Sequence, residues 1–330
     1  MKQHRRERVI TVIEQLSDGQ FHSGETIGEL LGVSRTAVSQ YIQDVQKLGI
    51  DVFRVTGKGY RLQSPLQLID LSRILSDSAD TSYAADSIDV ERVVGSTNDV
   101  IKQRMQHHAL PNGYTVFAEA QTEGRGRRGK RWISPFGANL YMSIYWRLDQ
   151  GMSAAMGLSL ALGTAVAQVL SDFGVPNVEL KWPNDLLVDG KKISGILVEL
   201  EGQALGVAHA IIGIGVNLTM PSQLQQEIDQ PWTDISHYLG THFSRNQLAA
   251  MLLTKCRECL AEYELTGLTN FIARWQQFDR LQGQPVRIIM GNREIDGIAA
   301  GIDDTGAILV TRNGTTERYH AGEVSLRHGT

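Results

Sequence analysis

The sequence predicts a multidomain α+β chain: a winged helix-turn-helix over residues 1–64, a mixed α/β body over 65–281 and a small β-barrel over 282–330. Three observations predict it. Helix-periodic apolar stripes separated by glycine turns occupy the start, and strand and helix patterns alternate through the middle. Short apolar runs punctuated by Gly291-Asn292, Asp303-Asp304-Thr305-Gly306 and Asn313-Gly314 then close the chain. A length of 330 residues with 42% hydrophobic content leaves room for more than one core and excludes a mainly disordered chain.

In the first segment Val9, Val12, Ile13 and Leu16 form a helical stripe that stops at Asp18-Gly19. Ser23 caps a second helix that runs through Leu30, and Leu31-Gly32 makes the turn. Ser34 caps a third, whose apolar side is Val38, Tyr41, Ile42, Val45 and Leu48. Arg35, Thr36, Ser39, Gln40 and Gln43 lie on the opposite face. Strands Asp51 to Val55 and Tyr60 to Leu62 flank the tip Gly57-Lys58-Gly59, adding a wing. Short hydrogen-bonding side chains with an arginine near the helix start suit the reading of base edges, and Lys58 suits a phosphate contact. Residues 1–64 hold 9 basic and 7 acidic residues, a net of +2, and the remaining 23 and 29 give −6, the asymmetry of a nucleic-acid module joined to an acidic body. A face used for dimerisation or protein binding is the alternative.

A short helix and a linker follow around residues 72–87. Next come strands at Tyr114 to Glu119, Leu140 to Trp146, Val178 to Trp182, Ile193 to Leu200 and Ala210 to Asn217, and a helix at Met152 to Phe173. Gln150 to Ser171 carries no charge over 22 residues, long enough for a membrane span. Its many Gly, Ala, Ser, Thr and Gln residues, and the lack of a second such stretch, predict a buried core helix instead. The basic N-terminus has no continuous apolar region and the chain has 2 Cys, so the expectation is a cytoplasmic protein without a disulfide framework. Cys256 and Cys259 fall on one face of a helical pattern, which predicts core packing rather than a metal site.

Gly124-Arg125-Gly126-Arg127-Arg128-Gly129 has the spacing of a dinucleotide fingerprint, but a strand-like run follows it where that fingerprint requires a helix. Asp172-Phe173-Gly174 likewise lacks the other parts of a kinase. What remains is a glycine loop with five cations among positions 125–131, suited to gripping a phosphate. Downstream, Lys181-Trp182-Pro183-Asn184-Asp185 precedes Asp189-Gly190-Lys191-Lys192 and Ile193-Ser194-Gly195-Ile196. Asp189-Gly190 predicts a tight hairpin turn, and strand parity puts Lys191 and Lys192 on opposite faces, so only one readily points at a shared ligand.

Taken together, Ser96-Thr97-Asn98, Gln121, the GRGRRG loop, KWPND, KISGILVE and the IGIGVN run from Ile212 to Asn217 resemble, in content and order, the biotin–protein ligases, specifically the bifunctional ligases that also repress biotin synthesis genes. The resemblance covers nearly the whole chain. It implies a class II synthetase-like, SH2-like catalytic domain and an SH3-like C-terminal barrel. It also implies formation of biotinyl-5′-AMP from biotin and ATP with Mg²⁺, then biotin transfer to a lysine of the biotin carboxyl carrier protein of acetyl-CoA carboxylase. Operator DNA, a homodimer, no membrane partner and the adenylate as corepressor complete the implied partners.

By the same resemblance Ser96, Thr97, Asn98, Gln121, Arg125, Gly126, Arg127 and Lys192 bind biotin. Arg125, Arg127, Arg128, Lys192, Asn217 and Trp232 bind the nucleotide, and Lys192, Arg127 and Asp185 are catalytic. Asp185 serves as base or as a Mg²⁺ ligand, a choice the sequence leaves open, and Trp132 and Trp232 either wall the site or belong to the core. Two other functions stay open: a repressor that binds a biotin-like molecule without turning it over, and a ligase for another acyl cofactor such as lipoate.

Overall fold

Apolar side chains spaced three and four apart bury one face of each N-terminal helix. Val9, Val12, Ile13 and Leu16 of α1 (Gln3–Leu16) are fully buried in one cluster with residues of α2 (Gly24–Leu31) and α3 (Arg35–Lys47). Ser23 and Ser34 accept hydrogen bonds from the amides of Thr26 and Ala37, and Gly32 ends α2 in the left-handed region. Strands β1 (Val52–Val55) and β2 (Gly59–Leu62) pair as the wing. Arg35, Thr36, Gln40, Gln43 and Lys58 are exposed and Ser39 is half-buried, as the helix period requires. This computed structural model describes residues 3–78, 85–202, 206–222, 224, 227–290, 292–321 and 325–328; positions 79–84 of the expected linker lie outside the described residues.

After α4 (Leu71–Asp77) come β3 (Ile88–Val94), α5 (Thr97–His107), β4 (Thr115–Gln121), β5 (Asn139–Leu148) and α6 (Leu158–Asp172). Then follow β6 (Val178–Lys181), β7 (Asp185–Val188), β8 (Lys191–Gly202), β9 (Ala208–Asn217), α7 (Ser236–Leu239), α8 (Arg245–Thr266) and α9 (Ile272–Phe278). The strands form one seven-stranded sheet in the order β3-β4-β5-β9-β8-β7-β6, antiparallel except between β3 and β4. Alternate residues face opposite sides. Val116, Tyr145 and Ile211 pack with Ile101 of α5, whereas Phe117, Ile144 and Ile212 join the large core with α6 and α8.

Gly157, at φ 86°, separates a 3-10 turn at Met152–Ala155 from α6. With 15 residues α6 is about 22 Å long, short of a hydrocarbon core of about 30 Å, and Leu158, Leu162 and Val166 are fully buried. It is the core helix that the sequence predicts. Cys256 and Cys259 are buried free thiols of α8, and burial pushes Cys256 up to about 12.

Strands β10 (Pro285–Met290), β11 (Arg293–Ile302), β12 (Ile308–Arg312), β13 (Thr315–Tyr319) and β14 (Ser325–His328) make an antiparallel sheet in the order β13-β12-β11-β10-β14. It is tied to the body where Trp182 Nε1 donates to the Gly306 carbonyl at 3.1 Å. A buried ionic clamp holds the chain leaving the wing. Arg245 Nη2 lies 2.9 Å from Glu119 Oε2, Arg245 also donates to the Gln67 carbonyl, and Glu119 accepts from the Ile69 amide. Arg92 of β3 donates to the Ile69 carbonyl and to Glu14 of α1, both at 2.9 Å.

Candidate functional site

Local hairpin geometry places the key lysine. Asp189 and Gly190 both have positive φ, 49° and 76°, which is the type I′ turn expected of Asp-Gly, and it sets Val188 opposite Lys191. Lys191 is exposed, while the Lys192 side chain is 15% exposed and its ammonium lies 2.7 Å from Asp185 Oδ1. A register shift in the β7–β8 pairing follows directly after Lys192.

Gly195 of β8 and Gly215 of β9 are direct cross-strand partners, as are Gly213 and Ser143 of β5. The three glycines make a floor without side-chain bulk, and the indole of Trp132 lies over Gly195 and Gly215. A Cβ at position 215 would stand 2.5 Å from the indole Cε2, and one at 195 would stand 3.2 Å from Cζ3. At 215 only glycine admits that approach. Lys192 Nζ is 5.4 Å from the centre of the indole, within cation–π range, and Trp132 Nε1 is buried without a partner among the described residues.

Two cavities meet beside this floor, sharing Gly126, Arg127, Trp132, Asn184 and Lys192. The narrower, of about 60 Å³, is lined by Ser96, Thr97, Asn98, Gln121, Arg125, Gly126, Arg127, Trp132 and Lys192. The wider, of about 780 Å³, is lined by Gly126, Arg127, Arg128, Trp132, Lys181, Asp185, Lys192, Asn217 and Trp232. All the residues proposed for biotin therefore come together. Of those proposed for the nucleotide, Arg125 lines the narrow cavity and not the wide one.

Polar groups around the narrow cavity form a continuous chain. The Thr97 amide and hydroxyl donate to Gln121 Oε1 at 2.9 and 3.1 Å, Gln121 Nε2 donates to Ser134 Oγ at 3.1 Å, and Ser143 Oγ lies 2.6 Å from both Thr97 Oγ1 and Asn98 Oδ1. Asn98 Nδ2 donates to Glu199 at 2.7 Å. Arg125 grips Asp99 bidentately at 2.7 and 2.6 Å and reaches Glu199 at 3.4 Å. Arg125 holds the Asp99 carboxyl below its usual range against the opposing effect of burial, and the same hydrogen bond raises Arg125.

Arg127 donates to Asn184 Oδ1 at 3.1 Å and to the Ala321 carbonyl at 2.9 Å, so the glycine loop touches the C-terminal sheet domain. Burial, and then Arg128 beside it, lower the Arg127 pKa, with Asp185 acting the other way. The guanidinium stays charged, but without a carboxylate of its own in those two contacts. Asn217 is buried and its amide donates to the Thr233 carbonyl at 3.0 Å, fixing the Trp232 segment against the end of β9. Among the described residues no group of three or more His, Cys, Asp or Glu gathers into a metal cage. Asp185, the single carboxylate of this set and already paired with Lys192, is the group that could join a Mg²⁺ arriving with nucleotide phosphates.

The sequence reading did not find Ser143, Asp99 or Glu199. One signal was available for the floor: Gly213 and Gly215 recur at period two in an otherwise branched strand, which puts both on one face.

Family models match three stretches of the chain. The Biotin/lipoate A/B protein ligase family matches residues 90–217, the biotin protein ligase C-terminal domain 282–327, and an HTH domain 8–61. The bifunctional ligase/repressor BirA of Salmonella typhimurium is 44% identical over 318 residues, 96% of this chain and 97% of the relative. A biotin–[acetyl-CoA-carboxylase] ligase of Mycobacterium tuberculosis is 32% identical over 72% of this chain and 88% of its own length. Among solved structures, the Aquifex aeolicus biotin protein ligase in complex with biotin and ATP superposes with a TM-score of 0.62 at 26% identity, covering 73% of this chain and 99% of that one.

Proposed function

The chain belongs to the family of bifunctional biotin ligase/repressors, and from that premise we propose that it is an ATP-dependent biotin–protein ligase and a biotinyl-5′-AMP-dependent repressor of biotin synthesis genes. The ligase joins biotin to AMP and then passes the biotinyl group to a lysine of the biotin carboxyl carrier protein. One observation carries the reading: Arg127 and Lys192 line both the glycine-floored cavity and the wider cleft, and Arg125 lines the first of them. A flat, weakly polar ring suits the first space and a nucleotide the second.

In the first step a biotin carboxylate oxygen attacks the α-phosphorus of ATP. A carboxylate is already a nucleophile and needs no general base; the barrier lies in bringing two anions together. Lys192, on the boundary of both cavities, would bridge the carboxylate and the α-phosphate, with Arg127 and Arg128 on the phosphate side. Ser96, Thr97, Asn98 and Gln121 offer a hydrogen-bonding ring for the ureido end. Gly126 lets the backbone approach, and Asn217 and Trp232 frame the nucleoside. Mg²⁺, held by Asp185 and the phosphates, would supply charge neutralisation. In the second step the carrier lysine, with an ordinary pKa near 10.4, must lose a proton, and Asp185 is the acceptor within the site.

The proposed division is 1–64 for DNA binding, 65–281 for catalysis with a class II synthetase-like, SH2-like fold, and 282–330 as an SH3-like barrel. The protein is proposed to act in the cytoplasm as a homodimer on operator half-sites, with Arg35, Thr36, Ser39, Gln40 and Gln43 toward bases and Lys58 toward phosphate. Biotin-dependent exchange of labelled pyrophosphate into ATP tests the ligase. No exchange by folded, magnesium-supplied protein overturns it, and lipoate in place of biotin tests the acyl specificity. For DNA, Arg35→Ala weakens operator binding more than nonspecific binding, while Lys58→Ala weakens both.

A further inference from the structure

Lys181, Asp185, Gly195 and Gly215 are successive register partners across β6, β7, β8 and β9, so they share one face of the sheet. The row starts on the glycine floor and runs outward through Asp185 to Lys181 on the edge strand, along the wider cleft. Lys181 stands two strands beyond Gly195, about 10 Å away at the usual strand spacing. Its neighbour Leu180 turns to the other face and is buried. The segment that carries Lys181 is fixed from three sides. Trp182 Nε1 bonds the Gly306 carbonyl, Ser159 Oγ donates to the Pro183 carbonyl at 3.1 Å, and Asn184 Nδ2 donates to the Ile196 carbonyl at 2.9 Å.

Lys181 of this row and Lys192 beside it differ in their charge environment. Lys192 is already paired with Asp185 at 2.7 Å, whereas Lys181, half-buried, has no carboxylate within ion-pair distance among the described residues. An ammonium held on a rigid strand, facing a cleft, whose cross-strand neighbour Asp185 is paired with another lysine, is suited to an anionic ligand.

Resting on the ligase reading above, we propose that Lys181 binds the β- and γ-phosphates of ATP and stabilises pyrophosphate as it departs. In that step a biotin carboxylate oxygen forms a bond to the α-phosphorus, and the bond from the α-phosphorus to the α,β-bridging oxygen breaks. The electron pair leaves on that oxygen with pyrophosphate, and no proton is transferred. Lys192 meets the charge at the reaction centre, and Lys181 meets the charge that grows on the leaving group.

The test compares full-length wild type, Lys181→Ala and Lys181→Arg in two assays: biotin-dependent exchange of labelled pyrophosphate into ATP, and transfer to carrier protein from supplied biotinyl-5′-AMP, which involves no pyrophosphate. For Lys181→Ala, exchange falls about 100-fold, with a higher half-saturating pyrophosphate concentration, while transfer is unchanged. Lys181→Arg recovers most of the exchange. Unchanged exchange in Lys181→Ala overturns the assignment, and so does an equal fall in both assays, which marks a structural role. A wild type without biotin-dependent exchange overturns the ligase reading itself, and the Lys181 role with it.

Discussion

Two regions of this molecule set arginines and a lysine beside carboxylates, and they use them differently. At the clamp under the chain leaving the wing, Glu119 is fully buried and Arg245 is 5% exposed, and they bond each other, Gln67 and the backbone of Ile69 and Asn139, with Arg92 3.7 Å from Glu119. At the candidate site the Asp99 and Asp185 side chains are 36% and 24% exposed, and Arg127 rests on neutral oxygens. Complete burial makes the first set a fixed part of the framework, since no solvent or ligand can replace a partner. Partial exposure leaves the second set free to exchange a weak protein partner for a phosphate or carboxylate.

That contrast can be broken by substitution. The largest effect expected is on Glu119→Ala, which strands the Arg245 charge in the interior and lowers unfolding free energy by about 3–5 kcal/mol in urea titrations. A stable Glu119→Ala protein would end the distinction. Lys192→Ala lowers stability less than Glu119→Ala does, because its partner Asp185 keeps 24% of its side chain exposed, yet slows adenylate formation by about 10²- to 10³-fold. A fall in stability equal to that of Glu119→Ala would put Lys192 in the framework instead.

A smaller effect sharpens the picture of the floor. Gly215→Ala places a Cβ against the indole, and overpacking of about 1–3 kcal/mol weakens biotin binding roughly tenfold or more by calorimetry. The smallest is the acid response of Asp99, whose carboxyl Arg125 holds below its usual range. A depressed folded pKa contributes stability above the unfolded value near 3.9 and loses it as pH falls through the lower folded value. The stability gap between wild type and Asp99→Asn is therefore small and constant from neutral pH to about pH 4, closing only below it. A gap that closes near pH 6 contradicts the pairing.

Much of the fold was legible because its signals are local. The stripes of α1 and α3, the caps Ser23 and Ser34, and the Asp189-Gly190 turn each follow from residues within one or two turns of chain. The candidate site was half legible: Arg125, Arg127 and Lys192 stand in glycine- and lysine-rich runs that announce an anion. Asp99 and Glu199 were not, because they meet Arg125 from 26 and 74 residues away, through the crossing of α5 and the register of β8. Helix α5 itself is polar over TNDVIKQRMQH and gives only a weak stripe. The clamp joins residues 126 apart, and nothing near Glu119 in sequence marks it as buried.

The indole of Trp132 already rests on Gly195 and Gly215, so a flat ligand that reaches this floor replaces one apolar contact by another. Less apolar area leaves water than the ligand's own face would suggest. Heat capacity follows that net area, at about 0.45 cal/K/mol per Å² of apolar surface. The enthalpy of biotin binding therefore changes little with temperature, a thermal signature set by one side chain that occupies its own binding surface.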